Sequence, residues 1–100
     1  MYNKHTMELS ERYIQLFEKE GFASVYEWQD KPGTVYPAHS HKGKVSLFVT
    51  DGSIVFDFDG ETKEVVANER FDVPVGATHS AVVGEQGWIV IVGEEIDEDS

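Results

Sequence analysis

The spacing of apolar residues divides the chain into one helix followed by a series of short strands. In the first twenty residues, apolar positions recur at the three- and four-residue spacing of an amphipathic helix; they are Leu9, Tyr13, Leu16 and Phe17. Thr6 is a suitable N-cap for this helix, and Gly21 is placed to end it in a left-handed conformation. The pattern therefore predicts an N-terminal helical segment over residues 1–21.

From Phe22 onward, the apolar pattern changes to short runs that are separated by turn residues. Eight runs rich in β-branched and aromatic residues occupy 22–28, 34–41, 45–50, 53–58, 62–66, 70–74, 79–83 and 88–93. The pairs Asp51-Gly52 and Asp59-Gly60 are typical of two-residue hairpin turns. Eight short strands at this spacing predict a β-sandwich or a small barrel.

Alternation within the two central runs separates an inward face from an outward face. Apolar side chains share one face of each strand, and they are Val45, Leu47 and Val49 in the first and Ile54, Phe56 and Phe58 in the second. The opposite positions, which include Ser46 and Asp57, are polar and suit water. Phe48 and Val55 interrupt this polar face, so we expect them to pack either beneath the helix or against a second subunit.

Composition and charge narrow the range of functions. The 100 residues make one domain, and its net charge of -11 repels phosphate backbones, which argues against nucleic acid as a partner. There is no cysteine, so a metal would have to use imidazole, carboxylate or backbone oxygen. No apolar run reaches the ~20 residues of a membrane span, and we expect a soluble, cytoplasmic protein. The acidic residues of 94–100 are interpreted as a solvated C-terminal tail.

Three of the four histidines lie in two short motifs. His39 and His41 are two residues apart on a predicted strand, so their side chains leave the same face. His79 follows a tight turn predicted at Pro74 and Gly76, and it begins the next strand. Three neutral imidazoles on one inner face suit a first-row divalent metal and leave coordination positions open for water or substrate.

These motifs resemble the two sequence motifs of the cupin superfamily of small jelly-roll barrels. The first, G-x5-H-x-H-x3-E-x6-G, is matched without a gap at Gly33, His39, His41 and Gly52, with Val45 at the glutamate position. The second, G-x5-P-x-G-x2-H-x3-N, is matched at Pro74, Gly76 and His79, with Asn68 and Val83 at its two ends. Asn68 tolerates the left-handed turn that glycine would serve. The resemblance implies an all-β, cupin-type jelly-roll β-barrel over residues 22–93, preceded by the short N-terminal helix.

By this resemblance, the metal ligands are His39, His41 and His79, and they hold one divalent ion (Fe, Mn, Ni, Zn or Cu). Val45 cannot coordinate a metal, but some cupin-like dioxygenases bind iron with three histidines and no carboxylate. The resemblance thus implies a metal-binding protein for a small molecule, including a dioxygenase-type oxidoreductase. Lewis-acid isomerase or lyase chemistry suits the same ligands. A non-catalytic ligand-binding or sensor module is the alternative, and an acidic partner-binding domain is a third reading, so the sequence does not decide whether the protein is an enzyme.

Several residues near the histidines carry further expectations. Because three neutral ligands leave the full charge on the metal, an anionic ligand with two oxygens and an apolar part is expected beside Val45. Lys42 and Lys44 would attract such an anion. Tyr36 has the opposite strand parity to His39 and is expected to point away from the metal. Trp28 and Trp88 are interpreted as core or interface anchors. Cupin-like barrels commonly pair through a sheet, so the apolar residues Phe48 and Val55 predict a homodimer.

Overall fold

A helix and six strands make up the fold in the computed structural model, which describes residues 4–95. The elements are α1 (Lys4–Lys19), β1 (Ser24–Asp30), β2 (Val35–His39), β3 (Val45–Phe58), β4 (Glu61–Val66), β5 (Arg70–Val73) and β6 (His79–Glu94). The predicted class, all-β with one N-terminal helix, is confirmed. The prediction that Thr6 caps the helix is wrong, because α1 already includes this residue. Threonine is tolerated within helices and so does not by itself mark a helix start.

The two long strands, β3 and β6, form an antiparallel ribbon that carries all the other strands. Residues 45–52 of β3 and 88–94 of β6 lie between β1 and β5, and we call these four segments the first half-sheet. Residues 53–58 of β3 and 79–83 of β6 lie between β2 and β4, which makes the second half-sheet. Each central strand thus takes part in both half-sheets, which is the architecture of a jelly roll.

The ribbon bends where the sequence had suggested a hairpin, so the prediction of a turn at Asp51-Gly52 is wrong. Gly52 stays inside β3 and pairs with Trp88 of β6, and the register shifts on both sides of this pair. Gly52 has a φ of 76°, and a β-carbon there would lie 1.9 Å from the carbonyl oxygen of Gly87. The glycine therefore serves a β-bulge with a close approach of two backbones. Eight predicted strands become six because β3 and β6 each continue through such an irregularity.

The Asp59-Gly60 turn is a hairpin, as predicted. Phe58 at the end of β3 pairs with Glu61 at the start of β4. The two residues between them have φ values of 56° and 94°, the left-handed conformations that a two-residue type I′ turn requires. Asn68 has a φ of 72° in the turn between β4 and β5, which confirms that this asparagine takes a glycine-like conformation.

The inward faces of the two half-sheets form the main core. The residues predicted to share the inner face are buried there with side chains from the other strands; they include Val45, Leu47, Val49, Ile54 and Phe56. Phe58 is partly buried against this cluster. Strand alternation thus places the faces of β3 correctly on both sides of the bend.

The helix packs on the outer face of the first half-sheet. Phe17, Phe48 and Ile91 form a second buried cluster there, and the ring of Tyr13 stacks on Phe48 with centroids 3.5 Å apart. Phe48 therefore lies beneath the helix, which decides between the two positions expected for it. Leu16 is 38% exposed, so its assignment to the apolar stripe is wrong; Ile14 contacts the cluster instead because the helix face is centred on Tyr13 and Phe17.

The helix ends at a Schellman motif. Gly21 has a φ of 96°, its N–H donates to the carbonyl of Glu18 over 3.1 Å, and the N–H of Phe22 donates to the carbonyl of Phe17 over 3.2 Å. The rings of Phe17 and Phe22 also meet edge to face, with centroids 5.6 Å apart. These are the two backbone bonds and the apolar contact typical of the motif, so the prediction for Gly21 is confirmed.

An arginine fastens the end of the helix to the first half-sheet. The Arg70 guanidinium donates to both carboxylate oxygens of Glu20, over 2.7 and 2.8 Å, and to Asp72 over 2.9 Å. Ser46 donates to the same Asp72 oxygen over 2.8 Å. Ser46 is thus buried, not solvated as its strand parity predicted, because the helix and Arg70 cover this part of the outer face.

Within residues 4–95, the structure has no helix that is both long enough and apolar enough to span a membrane.

Candidate metal centre

The backbone brings the three predicted histidines to the open end of the two half-sheets, opposite the bend. His39 ends β2 and is the cross-strand partner of His79, the first residue of β6. His41 follows in the loop before β3. One ring nitrogen from each histidine lies within 4.8 Å of the others. The structure therefore places His39, His41 and His79 together, as their spacing predicted.

A backbone hydrogen bond joins the two histidine motifs. Gly76 has a φ of 78°, and its N–H donates to the carbonyl oxygen of His41 over 2.8 Å. The same turn is closed by the N–H of Ala77, which donates to the carbonyl of Pro74 over 3.3 Å. Proline and glycine thus shape a tight turn that docks on the His41 loop and delivers His79 to the site.

Main-chain carbonyls fix the orientation of two imidazole rings. The Nδ1 atom of His39 lies 2.7 Å from the carbonyl oxygen of Pro37, and Nδ1 of His79 lies 3.0 Å from that of Ala77. Because a carbonyl can only accept, each neutral ring carries its proton on Nδ1 and has its lone pair on Nε2. In His39 this lone pair accepts a hydrogen bond from Nε2 of His41. That tautomer is the one in which Nε2 binds a metal, and carbonyl partners of this kind are typical of metal-ligating histidines.

The spacing of the ring nitrogens suits a divalent metal. The Nε2 atoms of His39 and His41 are 3.2 Å apart. With metal–nitrogen bonds of about 2.0–2.1 Å, two nitrogens at this distance subtend an angle of roughly 100° at the ion, between octahedral and tetrahedral values. The ring nitrogen of His79, which lies within 4.8 Å of the other two, would have to come closer to them when an ion binds. The donor set, three neutral imidazoles and no carboxylate among residues 4–95, fits a first-row divalent ion.

The histidines open onto a cavity of about 290 Å³ between the half-sheets. Its walls are mostly apolar and aromatic, and they include Tyr26, Trp28, Leu47, Ile54, Phe56, Val73 and Trp88. Val45, at the position where the cupin motif has a glutamate, is buried and lines the cavity, as expected. The site therefore combines a set of metal-binding nitrogens with a small apolar space beside it.

Tyr36 also lines the cavity, so the prediction that it points away from the histidines is wrong. Tyr36 pairs with Ala81 and His39 pairs with His79, so three steps along β2 match two steps along β6. This bulge inserts an extra residue and reverses the strand parity. Tyr36 and His39 consequently face the same side, although they are an odd number of residues apart.

An aspartate between the two half-sheets holds three aromatic side chains. One carboxylate oxygen of Asp30 accepts the indole N–H of Trp88 over 2.8 Å and that of Trp28 over 3.1 Å, and it also accepts the hydroxyl of Tyr36. Burial, and then this bond to Asp30, raise the pKa of Tyr36 to about 12. Trp88 is a buried core residue as expected, whereas Trp28 is 51% exposed and lines the cavity.

A second carboxylate, Glu94, lines the cavity directly opposite Val45. The two are cross-strand partners of β6 and β3, so their side chains share a face. The carboxylate accepts the hydroxyl of Tyr26 over 3.0 Å. Burial, and then this hydrogen bond, raise the pKa of Tyr26 to about 12, so the phenol stays protonated and keeps donating. Sequence reasoning missed this residue, although it continues the inward alternation of Val90 and Val92.

The lysines expected near the site lie outside the cavity, as does Glu95, the neighbour of Glu94. Glu94, which the charge pattern grouped with the tail over 94–100, ends β6, and Glu95 accepts the backbone N–H of Lys44 over 2.7 Å. Residues 96–100 of that predicted tail lie outside the described residues. Lys42 is exposed, and Lys44 lines a separate polar cleft beside Arg70. The lysines expected to attract an anion therefore do not line the cavity.

A bent antiparallel ribbon, two facing half-sheets and three histidines at their open end define a small jelly-roll protein with a candidate metal site. Comparison with solved structures identifies the fold as that of the cupin superfamily. The chain is 26% identical to an RmlC-like cupin from Shewanella frigidimarina NCIMB 400, with a TM-score of 0.62, over 75% of this chain and 68% of that one.

Two further solved structures show how varied the proteins with this fold are. The cupin domain of Schizosaccharomyces pombe Cnp3 is 18% identical, with a TM-score of 0.67, over 78% of this chain and 58% of that one. The polyketide cyclase RemF from Streptomyces resistomycificus is 27% identical, with a TM-score of 0.60, over 70% of this chain and 52% of that one. No protein-family model and no curated protein matches the sequence. Because proteins with this fold differ in function, the fold alone does not identify the function of this chain.

Proposed function

We propose that this protein binds one divalent metal ion through His39, His41 and His79 and holds a small oxygen-bearing ligand on it. The observation that carries the proposal is the orientation of the imidazoles: two Nδ1 atoms are fixed on backbone carbonyls, and the Nε2 atoms of His39 and His41 lie 3.2 Å apart. A cation that replaced the hydrogen between these two Nε2 atoms would be bound by both, and the ring nitrogen of His79 within 4.8 Å would supply the third ligand. We place the protein in the cytoplasm, as its sequence predicts.

The ligand we propose is a small anion with an apolar part. A dipositive metal with three neutral ligands keeps its full charge, and an anion with two oxygens both neutralises that charge and fills two positions. The apolar part would lie against Val45, Leu47 and Val73, which exclude water from the adjoining wall. The 290 Å³ cavity is at the lower limit for a drug-sized molecule, so a metabolite-sized ligand fits better.

For the reaction, we propose oxidoreductase chemistry of the dioxygenase type at this site. When bound, the metal would supply Lewis-acid or redox chemistry. The side chains of this chain would bind and orient the ligand: the apolar wall excludes water, and the Tyr26 hydroxyl keeps Glu94 in place. A non-catalytic binding or sensor module is the second candidate. It is favoured by Asp30, whose carboxylate already accepts three hydrogen bonds and is poorly suited to act as a base.

Metal analysis of the untagged protein tests the proposal. After removal of bound metal with a chelator, we expect calorimetric titration with each of Fe²⁺, Mn²⁺, Ni²⁺, Zn²⁺ and Cu²⁺ to give one site per chain for at least one ion. Salicylate, a small aromatic anion with two adjacent oxygens, should then bind to the loaded protein and not to the metal-free protein. Failure of all five ions to bind stoichiometrically would overturn the proposed function.

Val45→Glu is expected to tighten metal retention by about tenfold or more, equal to 1.4 kcal/mol, and to weaken salicylate binding by a similar factor. The new carboxylate would take one coordination position and repel an anion. In the metal-free protein it would face Glu94 across the strands, so the two like charges should also destabilise the fold. Metal dissociation rates, salicylate affinity and unfolding temperature measure these effects.

Val45→Gln is the matched control, because glutamine is similar in size to the glutamate of the test variant and carries no charge. It should leave the metal dissociation rate close to that of the parent. If the glutamate variant binds salicylate as tightly as the parent does, then the metal does not hold the anion in the way we propose.

We also propose that the chain forms a homodimer through the outer face of the second half-sheet. Phe48 is buried under the helix and cannot contribute, but Val35, Val82 and Val55 form an apolar row across β2, β6 and β3. Val35 is 65% exposed and Val82 is 47% exposed, which is unusual for valines that stand side by side. Light scattering at tens of micromolar should give twice the mass of one chain.

Val82→Lys is expected to halve that mass, because it would place a charge in the middle of the row. Leu16→Lys is the matched control, since Leu16 is comparably exposed on the helix at the opposite side of the fold. A parent protein that is already monomeric, or a Val82 variant that stays dimeric, would contradict this interface.

A further inference from the structure

Across the cavity from the histidines, two aromatic rings and a carboxylate form a second group, which we call the Trp28 wall: Tyr26, Trp28 and Glu94. Tyr26 and Trp28 lie on β1, which is an edge of the first half-sheet, and His79 lies in the second half-sheet. All three members of the Trp28 wall line the cavity together with the histidines. One cavity therefore has two chemically different sides.

The aromatic rings of the Trp28 wall are open to a ligand. Trp28 is 51% exposed and Tyr26 is 36% exposed, although both stand on the inward face of β1, opposite the buried residues Val90 and Val92. Their rings meet at 83° with centroids 6.5 Å apart. Two faces at nearly a right angle form a corner, and each aromatic face carries negative charge density.

The carboxylate of the Trp28 wall adds a full negative charge beside this corner. Glu94 accepts the Tyr26 hydroxyl over 3.0 Å, and Tyr26 stays protonated because its pKa is raised to about 12. Among the described residues that line the cavity, none is a lysine or an arginine. Nothing in the cavity wall therefore neutralises Glu94 with a fixed positive charge, whereas a cationic ligand could do so.

The geometry points to a zwitterionic ligand, with an anionic oxygen group on the metal at the histidines and an alkylated ammonium group against the Trp28 wall. The anionic end rests on the proposed function, and the cationic end is the new inference. Aromatic faces beside a carboxylate are the surfaces that recognise quaternary ammonium groups. A primary ammonium fits less well, because the neighbouring Val45 and Val92 would leave some of its N–H groups without acceptors.

Matched pairs of carboxylates test the inference on the metal-loaded protein. Trimethylammonioacetate, 3-trimethylammoniopropanoate and 4-trimethylammoniobutanoate are compared with their carbon isosteres 3,3-dimethylbutanoate, 4,4-dimethylpentanoate and 5,5-dimethylhexanoate. Within each pair, only the charge on the quaternary atom differs. For the pair whose length spans the cavity, we expect the ammonium compound to bind roughly tenfold more tightly than its isostere in calorimetry.

Two variants of the Trp28 wall locate the effect. Trp28→Ala and Glu94→Gln should each lower the affinity ratio of that pair several-fold, because the ammonium compound loses more affinity than its isostere does. Glu94→Gln keeps the size of the side chain, so it remains informative if the alanine variant folds poorly. Thermal unfolding of both metal-loaded variants establishes that they are folded.

The outcomes separate this inference from the proposed function. Equal, metal-dependent affinities within every pair would overturn the inference and leave the proposed function standing. Absence of binding by all six carboxylates, or binding that does not need the metal, would overturn both. If Trp28→Ala changes the mass in light scattering and leaves the affinity ratio unaltered, the exposed rings belong to a protein interface and the inference is wrong.

Discussion

Alanine in place of His39, His41 or His79 is expected to lower the affinity for the metal by at least about 100-fold, because loss of an outer-shell partner alone costs about 10–100-fold. Each histidine supplies one of three ligands, and no carboxylate among residues 4–95 joins the group. Since a bound metal stabilises only the folded state, the rise in unfolding temperature on adding metal should also disappear. Calorimetry and thermal unfolding with and without metal measure both effects.

His5→Ala is the matched control for these three variants. His5 is the histidine outside both motifs, and its backbone lies in α1, which packs on the outside of the first half-sheet. Its removal should leave metal content unchanged. Unaltered metal content in all three site variants would show that the histidines do not form the metal centre.

Gly52→Ala is expected to destabilise the protein by at least about 3 kcal/mol, a large part of the roughly 5–15 kcal/mol that holds a domain of this size together. The left-handed backbone at Gly52 costs an alanine about 1–2 kcal/mol. The new β-carbon would also meet the carbonyl oxygen of Gly87 at 1.9 Å. Relieving this overlap must separate β3 from β6 at their bend, because both atoms belong to the ribbon.

Gly60→Ala is the comparison that isolates the overlap. Gly60 has a φ of 94°, so an alanine there would have a similar backbone cost. Apart from its chain neighbours, however, no heavy atom of residues 4–95 lies within 4 Å of where the new β-carbon would be. We expect this variant to lose only about 1–2 kcal/mol. Chemical denaturation of both variants measures the difference. Equal losses would mean that the close approach at Gly52 relaxes without cost.

The two glycine turns also explain how far the sequence predicts this fold. Alternation identifies the inner faces of β3 because successive side chains of a strand point to opposite faces, whatever its partner strand is. The Asp-Gly pair at Asp59 marks a true hairpin. The same pair at Asp51 marks a bulge. Both glycines follow an aspartate, and both have positive φ, so the local sequence does not distinguish the bulge from the hairpin. What differs is the partner strand, since Gly52 pairs with Trp88 far along the chain.

The candidate site follows the same rule. The residues that depend on local spacing are predicted correctly, and those that depend on pairing with a distant strand are not. The histidines follow from local motif spacing, and the structure brings them together. Tyr36 was misplaced because a bulge against β6 reverses its parity. Glu94 was assigned to a solvated tail because the neighbouring acidic residues concealed the strand that it ends. Contacts that depend on long-range register, such as that of Tyr26 with Glu94 across 68 positions, leave little trace in a short sequence window.

The central position of β6 has a consequence for how the protein is synthesised. It follows all the other described strands in the chain, yet it is the hydrogen-bonded neighbour of β1, β2 and β3. While a ribosome makes the chain, β1 and β2 emerge before the strand with which they pair. The cluster of Phe17 and Phe48 is likewise incomplete until Ile91 of β6 has been made. Open strand edges and apolar side chains therefore stay exposed until β6 itself has emerged from the ribosome, and during this period the nascent chain is most open to aggregation or chaperone binding.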